Sequence, residues 1–360
     1  MRILQVIAGA EHGGAETFFG DFMLAMHNCK NRPQNMVQKA VLRPYESRLG
    51  RLEKAGIPLA TLPFGSWFDW RTRYGLRQEI LDFKPHIVQT WMNRATKFVP
   101  PRSAVGMQPY VHVGWLGGYY DMKYYQSCDH IVVLTTDMQS HVLRSGWPKD
   151  RLHIVPPFAP DKNASPINRA EFDTPKDAPL IVTLGRLHVK KAQDILIRAM
   201  ADVPNAYLWI AGEGELRKPL ITLCEDLGVA DRVRFLGWRH DREALLRTAD
   251  LCVFPSRYEP FGVVTLEAWA QKCPLIAAAS QGPKSVITHE HDGLVVPVDD
   301  VAALVDSIRT VLNDAGLRKK LIDNGRRTYD TKYSEKSVVD QYLSLYQDLA
   351  LMGTYARNAA

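Results

Sequence analysis

Leu180-Ile181-Val182-Thr183-Leu184-Gly185-Arg186-Leu187, followed by Lys190-Lys191 and by Ile195-Leu196-Ile197-Arg198-Ala199-Met200, is the stretch on which the fold turns. Its first residues form a short continuous apolar run, which a strand covered on both faces requires. A glycine turn follows, and then apolar residues recur at helical spacing. The stretch therefore predicts one βα unit. Downstream the same alternation predicts strands over Ala206–Ala211, Val233–Leu236, Leu251–Phe254, Leu275–Ala278 and Gly293–Val296. Upstream it predicts Ile3–Ala8, Val37–Leu42, Pro58–Leu62, His86–Trp91, Tyr110–Val113 and His130–Leu134. Strands alternating with helical segments imply an α/β protein with parallel sheets.

Between the two series lie Pro156, Pro157 and Pro160, then the polar stretch Asp161–Pro179 with Pro166 and Pro175. Proline removes backbone donors and breaks regular structure, so this segment reads as an interdomain linker. The 360 residues suit two domains. The expected organisation is two Rossmann-like, doubly wound domains, residues 1–160 and 178–334, facing across a cleft. A final helix, residues 335–352, is expected to cross back to the first domain and pack at the junction.

Composition narrows the function. Hydrophobic residues at 46% and charged residues at 23% describe an ordinary globular chain. A net charge of +6 favours an anionic partner, but zinc-finger and RNA-recognition patterns are missing, so nucleic acid is not expected. The five cysteines are odd in number and never spaced as C-x-x-C, against disulfides and a zinc site. The apolar opening Met1–Ala10 runs into Glu11-His12-Gly13-Gly14, which reads as a first strand and its loop and not as a cleaved leader. No stretch approaches the roughly 20 apolar residues of a membrane span. The expected location is the cytoplasm, with at most a peripheral contact to an anionic membrane.

Ligands of parallel sheets sit at the carboxyl ends of the strands. After Leu184, the guanidinium fork of Arg186 and the ammonium of Lys191 suit the two phosphates of a diphosphate. Solvated lysines at a helix start would give the same residues. After Phe254 comes Tyr258-Glu259-Pro260-Phe261-Gly262-Val263-Val264-Thr265-Leu266-Glu267, a loop entering a helix whose free N–H groups can cradle an anion or hydroxyl. Glu259 and Glu267 are about two turns apart, too far for a carboxylate dyad but suited to the two ends of an extended ligand. Ala211-Gly212-Glu213-Gly214, after the strand Ala206–Ile210, allows close backbone approach.

Gly185-Arg186-Leu187 with Lys191, Gly212-Glu213-Gly214, Phe235-Leu236-Gly237 and the E-x7-E of Glu259 to Glu267 resemble glycosyltransferase family 4, retaining enzymes of the GT-B fold. The resemblance is strong over residues 180–300 and looser over the first domain. It implies that Arg186 and Lys191 bind the donor diphosphate, that Glu259 and the backbone at Phe261, Gly262 and Val263 hold the donor sugar, and that Glu267 holds the ribose. Gly185, Gly212 and Gly237 would line the donor site, and Gly13, Gly14 and Glu16 the loop near acceptor and diphosphate. Ala192 departs from the pattern, since glycine commonly follows the lysine. Gly117-Gly118-Tyr119-Tyr120 and Cys128-Asp129-His130 resemble, more loosely, transferases of bacterial lipopolysaccharide cores.

The resulting expectation is hexose transfer from a UDP- or GDP-sugar to a glycan or lipid-linked glycan, without metal or other cofactor; the chain contains no Asp-x-Asp. Preorganised cations would stabilise the departing diphosphate. His112, at a strand end, is a candidate catalytic group, although a lone strand histidine is commonly structural. Trp67, Phe68, Trp70, Arg71, Arg73, Tyr74 and Arg77 interleave aromatic and basic side chains, suiting a membrane interface or an acceptor loop. An oxidoreductase is disfavoured because Gly9, Gly13 and Gly14 do not make G-x-G-x-x-G. A nucleotide-sugar epimerase and a non-catalytic carbohydrate-binding protein remain as alternatives.

Overall fold

Buried apolar strands alternating with one-sided helices assemble into two parallel sheets, described by a computed structural model for residues 1–11, 13–66, 68–101 and 110–358, with the backbone course only at 46–48 and 352–358. The chain divides into one unit of Met1–Phe158 with Glu335–Ala360 and another of Ala159–Ser334.

The first unit contains β1 (Arg2–Ile7), α1 (Gly14–Asn28), β2 (Val37–Leu42), α2 (Glu46–Lys54), β3 (Leu59–Thr61), α3 (Trp70–Phe83), β4 (Ile87–Trp91), α4 (Met92–Phe98), β5 (Val111–Trp115), β6 (His130–Val133), α5 (Thr136–Arg144) and β7 (Leu152–Ile154). Its strand order is β3-β2-β1-β4-β5-β6-β7. β1 pairs in parallel with β2 and β4, and all of it beyond Arg2 is buried. Helices therefore cover both faces of the sheet.

The second unit contains β8 (Leu180–Leu184), α6 (Gln193–Ala201), β9 (Tyr207–Ala211), α7 (Arg217–Asp226), β10 (Val233–Gly237), α8 (Arg242–Thr248), β11 (Leu251–Phe254), α9 (Val263–Ala270), β12 (Leu275–Ala278), α10 (Gln281–Val286), β13 (Leu294–Val296), α11 (Val301–Asn313) and α12 (Ala315–Thr328). The order is β10-β9-β8-β11-β12-β13. Ile181, Leu196, Met200, Leu208, Val253 and Ile308 meet in its core. Winding proceeds one way from β8 to β10 and the other way from β11 to β13, so the switch point lies between β8 and β11. A doubly wound sheet opens a crevice for ligands at that point.

The helix expected to return to the first domain is α13 (Glu335–Asn358), and it belongs to the first unit. Val338, Val339, Tyr342, Tyr346 and Leu349 are buried. The Tyr346 hydroxyl accepts from Gln5 Nε2 at 3.1 Å and donates to Gln89 Oε1 at 2.7 Å, while Trp91 Nε1 donates to Gln5 Oε1 at 2.8 Å. The rings of Phe22 and Tyr342 lie 4.6 Å apart. Two buried strand glutamines thus find partners on a helix remote in sequence.

From Ala159 onward, the proline-rich stretch read as a linker belongs to the second unit and docks on it. Arg169 donates to Thr248 O at 2.8 Å and pairs with Asp250 at 3.0 Å, Ile167 N donates to Thr248 Oγ1 at 2.8 Å, and Trp209 Nε1 donates to Thr174 Oγ1 at 2.9 Å. The segment forms one short 3-10 helix, Arg169–Phe172, and its side chains dock it.

Candidate active site

The loops leaving β8 and β9 are in backbone contact. Gly185 N donates to Ala211 O, and Leu187 N donates to Glu213 O, each at 3.0 Å. A Cβ on Gly212 would stand 1.9 Å from the Gly185 carbonyl oxygen, and one on Gly214 2.3 Å from that of Leu187. Gly185 itself sits at φ +146, and Gly237, at φ +70, borders Glu213. Gly212 and Gly214 are needed because backbone passes where a side chain would go, and Gly185 and Gly237 because their positive φ favours glycine.

Arg186 projects from this platform into solvent, and its guanidinium makes no ion pair among the described residues. Its carbonyl accepts from Gln193 Nε2 at 3.0 Å, fixing the backbone beneath it. Lys190 and Lys191 lie in a 3-10 turn, Val189–Lys191, that precedes α6, whereas the sequence suggested that they open the helix. Ala192 is buried and adopts φ 54, ψ 37, the left-handed conformation natural to glycine. The departure from the family pattern therefore stores about 1–2 kcal/mol of backbone strain.

The loop after β11 is joined to this turn. Tyr258 N donates to Lys190 O at 3.2 Å, and Lys191 Nζ forms an ion pair with Glu259 Oε2. Beneath, Gly282 N donates to Glu259 O at 2.8 Å, and a Cβ on Gly282 would meet the Phe261 backbone at 2.5 Å. Phe261 is buried, and Gly262, at φ +88, forms the N-cap of α9 without a side-chain cap. Val263 opens that helix, so the first-turn N–H groups, together with the helix dipole, form a suitable end for an anion or hydroxyl. Farther along α9, Glu267 Oε2 accepts from Arg242 Nη2 at 2.5 Å.

The structure thus brings Gly185, Arg186, Lys191, Gly212, Glu259, Phe261, Gly262 and Val263 to connected loops of one unit. Both acids carry cations. The residue expected on the diphosphate, Lys191, and the residue expected on the sugar, Glu259, contact each other directly. Arg242 was not foreseen; it is the first residue of α8, at the end of the loop that leaves β10. Gly282 was also missed, although Ser280-Gln281-Gly282-Pro283 follows a strand at its carboxyl end.

The remaining candidates lie in the first unit. Gly13 is extended and Gly14 begins α1. Glu16 folds back so that Oε1 accepts from Ala10 N at 2.9 Å, and its carboxylate fills the space beside Gly9 and Gly13. His112 is 1% exposed, with Nε2 3.1 Å from Thr90 Oγ1 and Nδ1 3.1 Å from Ser127 O. Both ring nitrogens have partners in the interior, the arrangement of a core histidine. His12 and Trp67 lie outside the described residues.

None of the five cysteines forms a disulfide among the described residues. Burial pushes the Cys224 thiol up to about 11 and raises Cys252 and Cys273 as well, so none of these three presents a thiolate at neutral pH.

Residues 165–328 match the family described as "Glycosyl transferases group 1". The chain is 34% identical to the lipopolysaccharide core biosynthesis glycosyltransferase LpsD of Rhizobium meliloti over 96% of this chain and 98% of that protein. It is 30% identical to LpsE of the same organism over 92% and 95%. Among solved structures, a glycosyltransferase from Rickettsia africae superposes with a TM-score of 0.82 at 19% identity, covering 97% of this chain and 98% of that one. Anabaena HepE in complex with UDP and glucose superposes with a TM-score of 0.79 at 18% identity, over 97% and 100%. With two α/β sheets, the loop arrangement at the second sheet's switch point and relatives matched nearly end to end, the chain belongs to the glycosyl transferases group 1 family and is a glycosyltransferase of the GT-B fold.

Proposed function

We propose that this chain is a retaining hexosyltransferase that moves a sugar from a UDP- or GDP-sugar to a lipid-linked glycan during lipopolysaccharide core assembly. The observation that carries the reading is the contact of Lys191 with Glu259, on loops meeting at the switch point of the second sheet, with the exposed Arg186 on the same loop as Lys191. A donor diphosphate entering there takes the Arg186 fork and competes with Glu259 for the Lys191 ammonium. Glu259 is then released to accept hydrogen bonds from sugar hydroxyls. As the bond between sugar and phosphate breaks, negative charge grows on the departing diphosphate, and the two cations and the α9 N-terminus stabilise it more than the ground state. These groups do the work for which other transferases use a metal, and the absence of Asp-x-Asp from the sequence supports a metal-independent reaction. Retention follows from attack on the face the diphosphate leaves, with a departing phosphate oxygen taking the acceptor proton. Near end-to-end similarity to LpsD and LpsE supports the acceptor class, and cysteines without a disulfide among the described residues suit the cytoplasm.

The test is thermal unfolding with a panel of uridine and guanosine diphosphates and their sugars. A ligand at 100 times its Kd stabilises by about 2.7 kcal/mol, and Arg186→Ala should lose most of that shift. An unchanged shift in the variant removes the diphosphate assignment. Donor converted to its epimer without acceptor would instead identify an epimerase.

A further inference from the structure

Phe68 is 78% exposed, Trp70 67% and Tyr74 60%, a concentration of large apolar side chains in solvent within one short segment. Arg71 and Arg73 are exposed among them. The Arg71 guanidinium lies 5.8 Å from the Trp70 ring centroid, and that of Arg73 5.5 Å from the Phe98 ring. The opposite stripe of α3, Thr72, Leu76 and Ile80, is buried. Core packing therefore fixes which face of the helix is turned outward.

The segment is also held firmly. Asp69 caps α3, accepting from Thr72 N at 3.0 Å and from Gly65 N at 2.7 Å, and Phe64 N donates to Thr72 Oγ1 at 2.8 Å. Arg43 bonds the carbonyls of Pro63 and Phe64. Asp69 is the one acid between Pro63 and Gln78, against Arg71, Arg73 and Arg77, and it is committed to the cap. What faces solvent is aromatic and cationic.

Water solvates the arginines well and the three rings poorly. The headgroup layer of a bilayer suits both, because Trp and Tyr favour that level and guanidinium groups bind lipid phosphates. We propose that the face formed by Phe68, Trp70, Arg71, Arg73 and Tyr74 docks on an anionic phospholipid bilayer, with the rings entering the headgroup layer and the arginines on the phosphates. The inference stands apart from the donor assignment.

The test is co-sedimentation of the full chain with vesicles of phosphatidylcholine, alone or enriched in phosphatidylglycerol. The protein should bind the anionic vesicles, bind more weakly as salt rises, and bind the neutral ones poorly. Arg71→Glu should weaken binding by about fivefold or more, the effect of a cationic side chain near such a surface. A combined Phe68→Ser, Trp70→Ser and Tyr74→Ser variant should abolish it, while Leu351→Ser, another exposed apolar site, should not change it. All replaced side chains are exposed, and unfolding curves matching the parent verify the fold. The proposal is overturned if the parent chain ignores anionic vesicles or if the variants bind as well as the parent. It is equally overturned if the variants lose turnover with a water-soluble acceptor, which would make this an acceptor surface. Nucleoside diphosphate binding should be the same in every variant, which separates failure here from failure of the donor assignment.

Discussion

Lys191 and Glu259, 68 residues apart, meet in one ion pair that ties the loop after β8 to the loop after β11. Both side chains are largely buried, at 29% and 15% exposure, so the pair is poorly screened and the two groups act as a unit. Lys191→Ala should lower kcat/KM by about 100-fold or more, the usual cost of removing a preorganised charge stabiliser. Combining it with Glu259→Gln should cost less than the product of the single effects, as measured in a double-mutant cycle. Independent, multiplicative losses would show that the contact has no part in turnover.

Gly14 and Gly212 should respond to alanine in opposite ways. A methyl on Gly14 meets nothing within 4 Å, and the residue begins α1, so Gly14→Ala should stabilise by about 0.5 kcal/mol. Gly212→Ala presses on the Gly185 carbonyl and should destabilise by about 1–3 kcal/mol in urea unfolding.

Arg242 positions Glu267 through their hydrogen bond. Arg242→Ala should raise the donor KM more than it lowers kcat, because the contact it orients is one made equally in ground and transition states. Arg242→Lys should restore part of the affinity. A pure fall in kcat would contradict a role at the ribose.

Tyr346→Phe removes an acceptor from Gln5 and a donor from Gln89 inside the first unit. Leaving buried polar atoms unmatched should cost about 1–3 kcal/mol. Urea unfolding of parent and variant measures it, and a neutral result would mean that water replaces the phenol.

Asp69 gives a pH signature. Burial pushes its carboxyl up, but hydrogen bonds from the Thr72 hydroxyl and from the N–H groups of Gly65, Thr72 and Arg71 outweigh it and hold the group below its ordinary value. A depressed folded-state pKa gives stability that is complete above the unfolded value of about 4 and is lost as pH falls through the folded value. Asp69→Ala should therefore cost about 1 kcal/mol at neutral pH. The difference from the parent should shrink below about pH 4, as thermal unfolding across pH will reveal.

Much of this architecture could be read from residue order. The Leu180–Leu184 run, its glycine and its helical successor mark a βα unit, because burial on both faces demands a continuous apolar strand. The carboxyl-end rule then picks out Arg186, Lys191 and Glu259. What escaped depends on contacts between segments distant in sequence. Arg242 matters only because α8 begins beside α9, and the charge partners of Lys191 and Glu267 are invisible to any local pattern. His112 has the residue type of a general base, and only its burial against Thr90 and Ser127 reveals a structural setting. The prolines of 160–175 misled for a related reason, since they interrupt helix and strand but leave Arg169 and Thr174 able to anchor the segment.

The return of α13 to the first unit sets an order of events during synthesis. The ribosome completes the second unit, Ala159–Ser334, while the first still lacks its last 26 residues, Glu335–Ala360. Until they emerge, Phe22, Gln5 and Gln89 wait uncovered beside a sheet that was translated earliest. The half of the enzyme made first is thus the last to be finished, and a nascent chain stalled before Glu335 exposes a sticky surface that chaperones must shield.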